Sequence, residues 1–228
     1  ELVVKRKNKR ARYYYIIAQI YQEAGNVKQS KKYFELVLKS NPEYEMVFNA
    51  KMNLARTLRN KKDLGQMRVN LTKMVKDEKN KDYLDQIYFT LAEMDIIDKD
   101  SVSAIENYTL STKYSVDNDV QKSISFLQLG KIYYNRSDYT SSKTFYDSAY
   151  TFMPEEHLHF EETKHTQKIL EKLVGHLTTI SLEDSLQKLS NLPESEVREI
   201  IQSIIAEIVK KEQEELREKQ NRANRGML

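Results

Sequence analysis

Four histidines, His157, His159, His165 and His176, are the side chains best suited to holding a metal, and all lie in the last third of the chain. His157 and His165 are eight residues apart, a spacing that puts both on one helix face, and Glu161, Glu162 and His165 contain a Glu-x-x-His pair. Such a pair becomes a metal site only when matching ligands arrive from other helices, and no carboxylate completes the set. Asp98, Asp100, Asp117 and Asp119 fall in expected inter-helix turns, where carboxylates cap helices; a calcium loop needs a denser run of oxygen ligands. No glycine-rich phosphate loop and no nucleophile elbow is present. These residue types therefore give no catalytic, cofactor or metal assignment. Asn53, Arg56 and Arg59 suggest other chemistry: a carboxamide able to hold a peptide backbone, beside two guanidinia able to fork onto carboxylates. That is recognition, not reaction.

The helices that must carry these residues show an internal period. Leu129, Gly130, Tyr133, Tyr146, Ala149 and Pro154 fall at positions 7, 8, 11, 24, 27 and 32 of a 34-residue helix-turn-helix unit beginning at Ser123. A first unit starts at Ala11, with Tyr14, Ile17, Ala18 and Tyr21 on its A helix and Ser30, Phe34, Val37 and Pro42 on its B helix. Gly25-Asn26 supplies its turn, and Pro42 ends it by breaking the hydrogen-bond ladder. A second starts at Phe48 (Leu54, Ala55, Leu58; then Met67, Leu71, Met74), with Met67 where a small residue is usual and no closing proline. A third starts at Asp85 (Tyr88, Leu91, Ala92; then Ala104, Tyr108), with Asp95 where an aromatic is usual, so packing there must differ. The starts are 37, 37 and 38 residues apart, and the surplus over the unit belongs in the inter-repeat turns. This pattern resembles the tetratricopeptide repeat (TPR). The expected fold is all-α: a TPR superhelical solenoid of four hairpins over residues 1–156, with C-terminal capping helices over 157–209 and a charged helical tail over 210–228.

Composition agrees. Five glycines and three prolines in 228 residues leave few helix breakers, and 15 tyrosines suit interlocking hairpins. The absence of cysteine excludes disulfides and thiolate metal sites. No apolar run approaches the roughly 20 residues that span a bilayer. The chain begins with Glu1 rather than Met, the mark of a processed or truncated piece whose targeting segment or anchor would lie upstream. Net charge is +3, but residues 1–60 carry 13 basic against five acidic side chains, a local +8. A basic end can orient an acidic partner; no nucleic-acid module accompanies it, so nucleic acid is not expected.

Beyond Pro154, Ile169, Leu170, Leu173, Val174 and Leu177 form a helical stripe expected to pack over the fourth unit. Ser181 to Asp184 has the spacing of a capping box, opening a short helix of Leu182, Leu186 and Leu189. Pro193 then opens a final helix whose apolar positions, Val197 to Val209, are expected to be packed, and whose polar continuation projects into solvent or frays. The segment either caps the stack or docks a partner.

In a TPR stack the A-helix positions 2, 5, 6, 9 and 12 line the concave groove. Here they are Arg12, Tyr15, Gln19 and Gln22; Asn49, Met52, Asn53, Arg56 and Arg59; Gln86, Phe89, Thr90 and Glu93; and Leu127, Gln128, Lys131 and Tyr134. The two-carboxylate clamp of chaperone-binding TPR proteins needs Lys and Asn where the first unit has Tyr15 and Gln19, so that chaperone tail is not an expected ligand.

NPEYEMVFNAKMNLAR (41–56) and LTTISLEDSLQKLSNL (177–192), followed by ESEVREIIQSIIAEIVKKEQEE, resemble the TPR lipoproteins of Bacteroidetes type IX secretion and gliding motility, the PorW/SprE family. The resemblance implies a periplasmic protein held at the outer membrane by an N-terminal lipidated cysteine, joining translocon to periplasmic ring. Other secretion components would be its partners, and the membrane would be met only through that anchor. The alternative is a generic TPR adaptor or regulator, cytoplasmic or periplasmic, that binds a protein or peptide in its groove. Both readings are non-enzymatic.

Overall fold

The computed structural model describes the backbone of residues 2–58 and 61–225 and the side chains of residues 9–58 and 63–219. Ten α-helices and no strand occur among the described residues. By internal packing the chain forms two units, Glu1–Val174 and Gly175–Leu228.

The first unit is a run of helical hairpins: α1 (Leu2–Glu23) with α2 (Val27–Lys39), α3 (Tyr44–Thr57) with α4 (Lys61–Val75), α5 (Leu84–Ile97) with α6 (Ser101–Tyr114), and α7 (Asp119–Asn135) with α8 (Tyr139–Phe152). The A helices α1, α3, α5 and α7 pack in succession, and α2, α4 and α6 each lean on the next A helix. Helix pairs pack this closely because one A-helix residue per unit has almost no side chain. Ala18, Ala55 and Ala92 are fully buried, and in the fourth unit a glycine takes the place. A Cβ on Gly130 would sit 2.7 Å from Cδ2 of Tyr146, and the Ser142 hydroxyl donates to the Gly130 carbonyl at 2.9 Å across the same crossing.

One turn recurs. Gly25, Lys99 and Ser137 adopt positive φ (69°, 62° and 59°), and each precedes an Asx residue that caps the B helix. Asn26 accepts from the Gln29 amide, Asp100 from Ser103 and Asp138 from Ser141. Hydrogen bonds from the Ser103 hydroxyl and amide hold the Asp100 carboxyl below the usual carboxylate range. The αL residue lets the A helix end within one turn, and the side-chain cap satisfies an amide the new helix leaves without a partner. Only the first unit uses glycine, so the other two turns carry a strained αL residue of another type. Asn41 (φ 47°) and the buried Pro42 end the first unit.

The surplus residues between the second and third units form a 3₁₀ turn, Glu78–Tyr83. It is tied down by buried Asn80, which donates to the Met74 carbonyl at 2.8 Å and accepts from the Tyr44 hydroxyl. Asp95 shows what replaces the missing aromatic: it is 2% exposed, pairs with Arg68 and accepts from Asn107 at 2.7 Å. Asp85, also buried, accepts from Asn118 at 3.0 Å and Ser115 at 3.3 Å, binding the start of α5 to the α6–α7 turn. Burial pushes its carboxyl above the usual range, against these hydrogen bonds.

Helix α9 (Phe160–Ser190) begins by closing the fourth unit: Phe160 and Leu170 join a buried cluster with Leu127, Tyr146 and Met153, and Leu173 packs against it. Ile169 and Leu177 of the expected stripe stay 50% and 41% exposed. No break occurs at Ser181. Its capping-box spacing lies inside one continuous helix, because without a proline nearby, propagation outweighs a new start. Pro193 does precede α10 (Glu194–Arg225). The expectation that residues 197–209 are packed fails for most of the stripe: Ile201, Ile204, Ile205, Ile208 and Val209 are 45–54% exposed. Among its described residues, Gly175–Leu228 contains the end of α9 and α10 and no further helix or strand.

Glycine-to-alanine substitutions should therefore split by position. Gly65→Ala and Gly175→Ala, with nothing within 4 Å of the new Cβ, gain up to about 1 kcal/mol of helix propensity. Gly130→Ala should lose about 1 kcal/mol net, because overpacking against Tyr146 outweighs that gain. Urea midpoints measure all three, and equal shifts would contradict the crossing.

Asp85 gives a pH signature. Its folded carboxyl is raised above the unfolded value, so its contribution is fully present below the unfolded pKa and is lost as pH rises through the folded one. Relative to wild type, Asp85→Asn should gain stability as pH is raised from about 3.5 to 7, read from denaturant midpoints across that range.

Candidate functional site

The A-helix face carries two concavities. The first, of about 600 Å³, lies between α1 and the start of α3 and is lined by Arg12, Tyr15, Ile16 and Gln19, then Glu43, Glu45, Met46 and Asn49. Four of these were read from the repeat register: Arg12, Tyr15, Gln19 and Asn49. Glu43 and Glu45 precede the second unit's lattice, so positional reasoning could not reach them. They reverse the local charge: one arginine faces two glutamates inside a segment whose sequence charge is +8. The basic surplus of residues 1–60 is therefore not expressed in this concavity.

The second concavity, of about 520 Å³, is bounded by α3, α5 and α7, with Arg56, Thr90, Glu93, Ile97, Gln128, Lys131 and Asn135 along its walls and Tyr108 reaching in from α6. It brings together Arg56, Glu93 and Lys131 from three units. Arg56 spans two of them, donating from Nε to Glu93 Oε2 at 2.9 Å with its guanidinium 5.5 Å from the Phe89 ring centroid. Burial first, then the nearby Glu93 and Asp95 charges, pushes the Tyr108 phenol well above its ordinary value, so it stays a neutral hydroxyl.

Between the two concavities the side chains bind one another. Asn53 Nδ2 donates to the Tyr15 hydroxyl at 2.8 Å and to the Asn49 carbonyl at 2.9 Å, and Gln22 reaches the Asn53 carbonyl at 3.5 Å. Both amide hydrogens of Asn53 are thereby used, which corrects its assignment as a donor to a peptide backbone. Met52 (2% exposed) and Phe89 (5%) are not groove surface but its floor, and so is Leu127 (3%). Met52 lies against Thr90 of α5, whose hydroxyl is 3.5 Å from its sulfur, Phe89 meets the Tyr108 ring edge-on, and Leu127 is buried with Phe160 and Leu170 of α9. Thr90 is buried too, with its hydroxyl on the Gln86 carbonyl at 2.8 Å. Tyr134 is 46% exposed and meets the Tyr139 ring edge-on. Arg59 lies outside the described residues.

The histidines do not assemble. His157 and His159 lie in the turn before α9 with ring centroids 5.6 Å apart, and His159 Nδ1 is 3.3 Å from Glu162, while His165 and His176 are exposed along α9. Among the described residues no three His, Cys, Asp or Glu side chains converge on a metal-sized site.

Arg56 and Glu93 are each about one-third exposed. A double-mutant cycle with Arg56→Ala and Glu93→Ala should give a coupling of about 0.2–1 kcal/mol, shrinking as salt is raised. A larger, salt-independent coupling would mean that the pair holds the stack together and does not merely line the groove.

The family profile for the tetratricopeptide repeat matches residues 11–44. No curated protein matches the chain. The matched segment is α1 from Ala11 onward, its Gly25-Asn26 turn and α2 through to the first residue of α3, and further helix pairs follow it in the chain. The protein contains the tetratricopeptide repeat and folds as an all-α solenoid built on it.

Proposed function

We propose that this protein is a non-enzymatic scaffold that binds other proteins along its A-helix face. TPR units generally mediate binding to proteins. The observation that carries the reading here is the pair of concavities on that face, each mixing charged, amide and aliphatic side chains, the second over a buried floor. A rigid floor with adaptable polar walls is the usual composition of an interface patch. The first concavity, with Glu43 and Glu45 against Arg12, suits a partner segment carrying basic residues; the second, with Arg56 and Lys131 against Glu93, suits one carrying an acidic residue.

The more specific reading is an accessory component of type IX secretion and gliding motility, located in the periplasm at the outer membrane. It rests on the resemblance of residues 41–56 and 177–192 to that family of TPR lipoproteins. Translocon or ring components would be its partners, and a lipid anchor upstream of this sequence would be its only link to the bilayer. No helix among the described residues is long and apolar enough to cross a membrane. A generic TPR adaptor accounts equally well for the solenoid and its grooves.

Two experiments separate these readings. In a Bacteroidetes host, deleting the gene should abolish export of type IX cargo, and gliding where it occurs; normal export would leave only the generic adaptor. Affinity purification with Glu45→Lys/Lys131→Glu should recover the native partners at least about tenfold less well with an unchanged melting curve. Undiminished recovery would remove the A-helix face as the binding surface.

A further inference from the structure

The last helix presents an exposed aliphatic face: Ile201, Ile204, Ile205, Ile208 and Val209 are each about half exposed. Scattered exposed aliphatics are ordinary, but five within nine residues of one helix are not. Val197, Ile201, Ile204 and Ile208 follow one another at spacings of four, three and four, the seam of a helix that packs along another helix.

The charges at the ends of this seam identify what it packs against. One turn before Val197 the seam position is Glu194, and one turn after Ile208 it is Lys211. A parallel pair would set Glu194 on Glu194 and Lys211 on Lys211, like charges at both ends. An antiparallel pair with Ile201 opposite Ile204 of the other copy puts Val197 opposite Ile208 and Glu194 opposite Lys211. Four aliphatic layers are then closed at each end by an opposite-charge pair, and no seam position is left unmatched. A surface complementary to itself under a two-fold rotation is what a closed dimer requires, and antiparallel helix dipoles favour the same arrangement. In the single chain Glu194 bonds Arg198 at 2.6 Å and Lys211 bonds Glu207 at 3.0 Å. Both are exposed pairs one turn apart on the helix, readily exchanged for a partner across the seam.

We propose that α10 is a self-association element, pairing antiparallel with α10 of a second copy of this chain around Ile201 and Ile204. The second copy, not the groove ligand, is the occupant of this face, so the proposal is independent of what the A-helix face binds.

Sedimentation equilibrium of the full chain tests it. The wild type should be a dimer, and Ile204→Glu, which puts a charge into two layers at once, a monomer with unchanged helical circular dichroism. Glu194→Lys and Lys211→Glu should each raise the dimer dissociation constant by at least about tenfold, and the two together should restore it. Because the chain has no cysteine, Glu194→Cys and Lys211→Cys report orientation directly: oxidised together they should crosslink to each other, with little crosslinking of either alone. A wild type that stays monomeric would assign the stripe to a different protein and overturn the proposal. Self-crosslinking of each single variant, or a double charge swap no tighter than the single ones, would overturn the antiparallel register.

Discussion

In the first, third and fourth hairpins the A helix meets its B helix at a residue with a methyl group or less, and this close crossing is what the rest of the architecture depends on. Ala18 and Ala92 are fully buried, and at Gly130 even a methyl would collide with the Tyr146 ring. Once two helices approach this closely, the large residues above and below interlock: Tyr15 edge-on to Phe34, Phe89 edge-on to Tyr108, Tyr133 stacked on Phe145. Those aromatic contacts fix the tilt of the first, third and fourth hairpins. A succession of fixed tilts lines the A helices along one side and so creates the face on which both concavities lie.

Where the repeat lattice departs from its usual residues, the structure compensates with buried hydrogen bonds. Asp95 replaces a packing aromatic and is matched by Arg68 and Asn107; Asp85 gathers Ser115 and Asn118 at the next inter-repeat turn. A buried carboxylate is tolerable only when its oxygens are satisfied, so each departure draws in partners from a neighbouring helix or turn. The divergent units are thus tied together by directional polar contacts in addition to apolar packing. The same economy governs the groove: Asn53 bonds Tyr15 and Gln22 between the two concavities, and Arg56 pairs with Glu93 across the wall of the second.

The two units present different surfaces. Glu1–Val174 holds the buried apolar clusters, exposes other aliphatic side chains, and presents mixed polar walls along its concavities. Gly175–Leu228 buries little and exposes a regular aliphatic seam bracketed by opposite charges. The first surface suits recognition of varied segments by many weak polar contacts. The second suits a single helical partner of matching period.

The sequence by itself determined the all-α repeat fold, the Gly25-Asn26 turn and the Pro42 stop. All of these follow from local rules: which residues tolerate positive φ, which end a hydrogen-bond ladder, and which recur at helical spacing. Tertiary structure alone decided which groove positions stay accessible. Met52 and Phe89 share a register with Arg56 and Glu93, yet lie against Thr90 and Tyr108, and exposure depends on neighbours distant in the chain. It also decided that Asn53 spends its amide on Tyr15 and Asn49, and that Glu43 and Glu45 line a concavity whose segment is basic. The Ser181 capping box was legible and misleading, since a local start signal loses to a helix already propagating through it. The aliphatic seam of α10 could be read from its spacing, but its exposure could not, because periodicity records which face is apolar and not whether anything covers it.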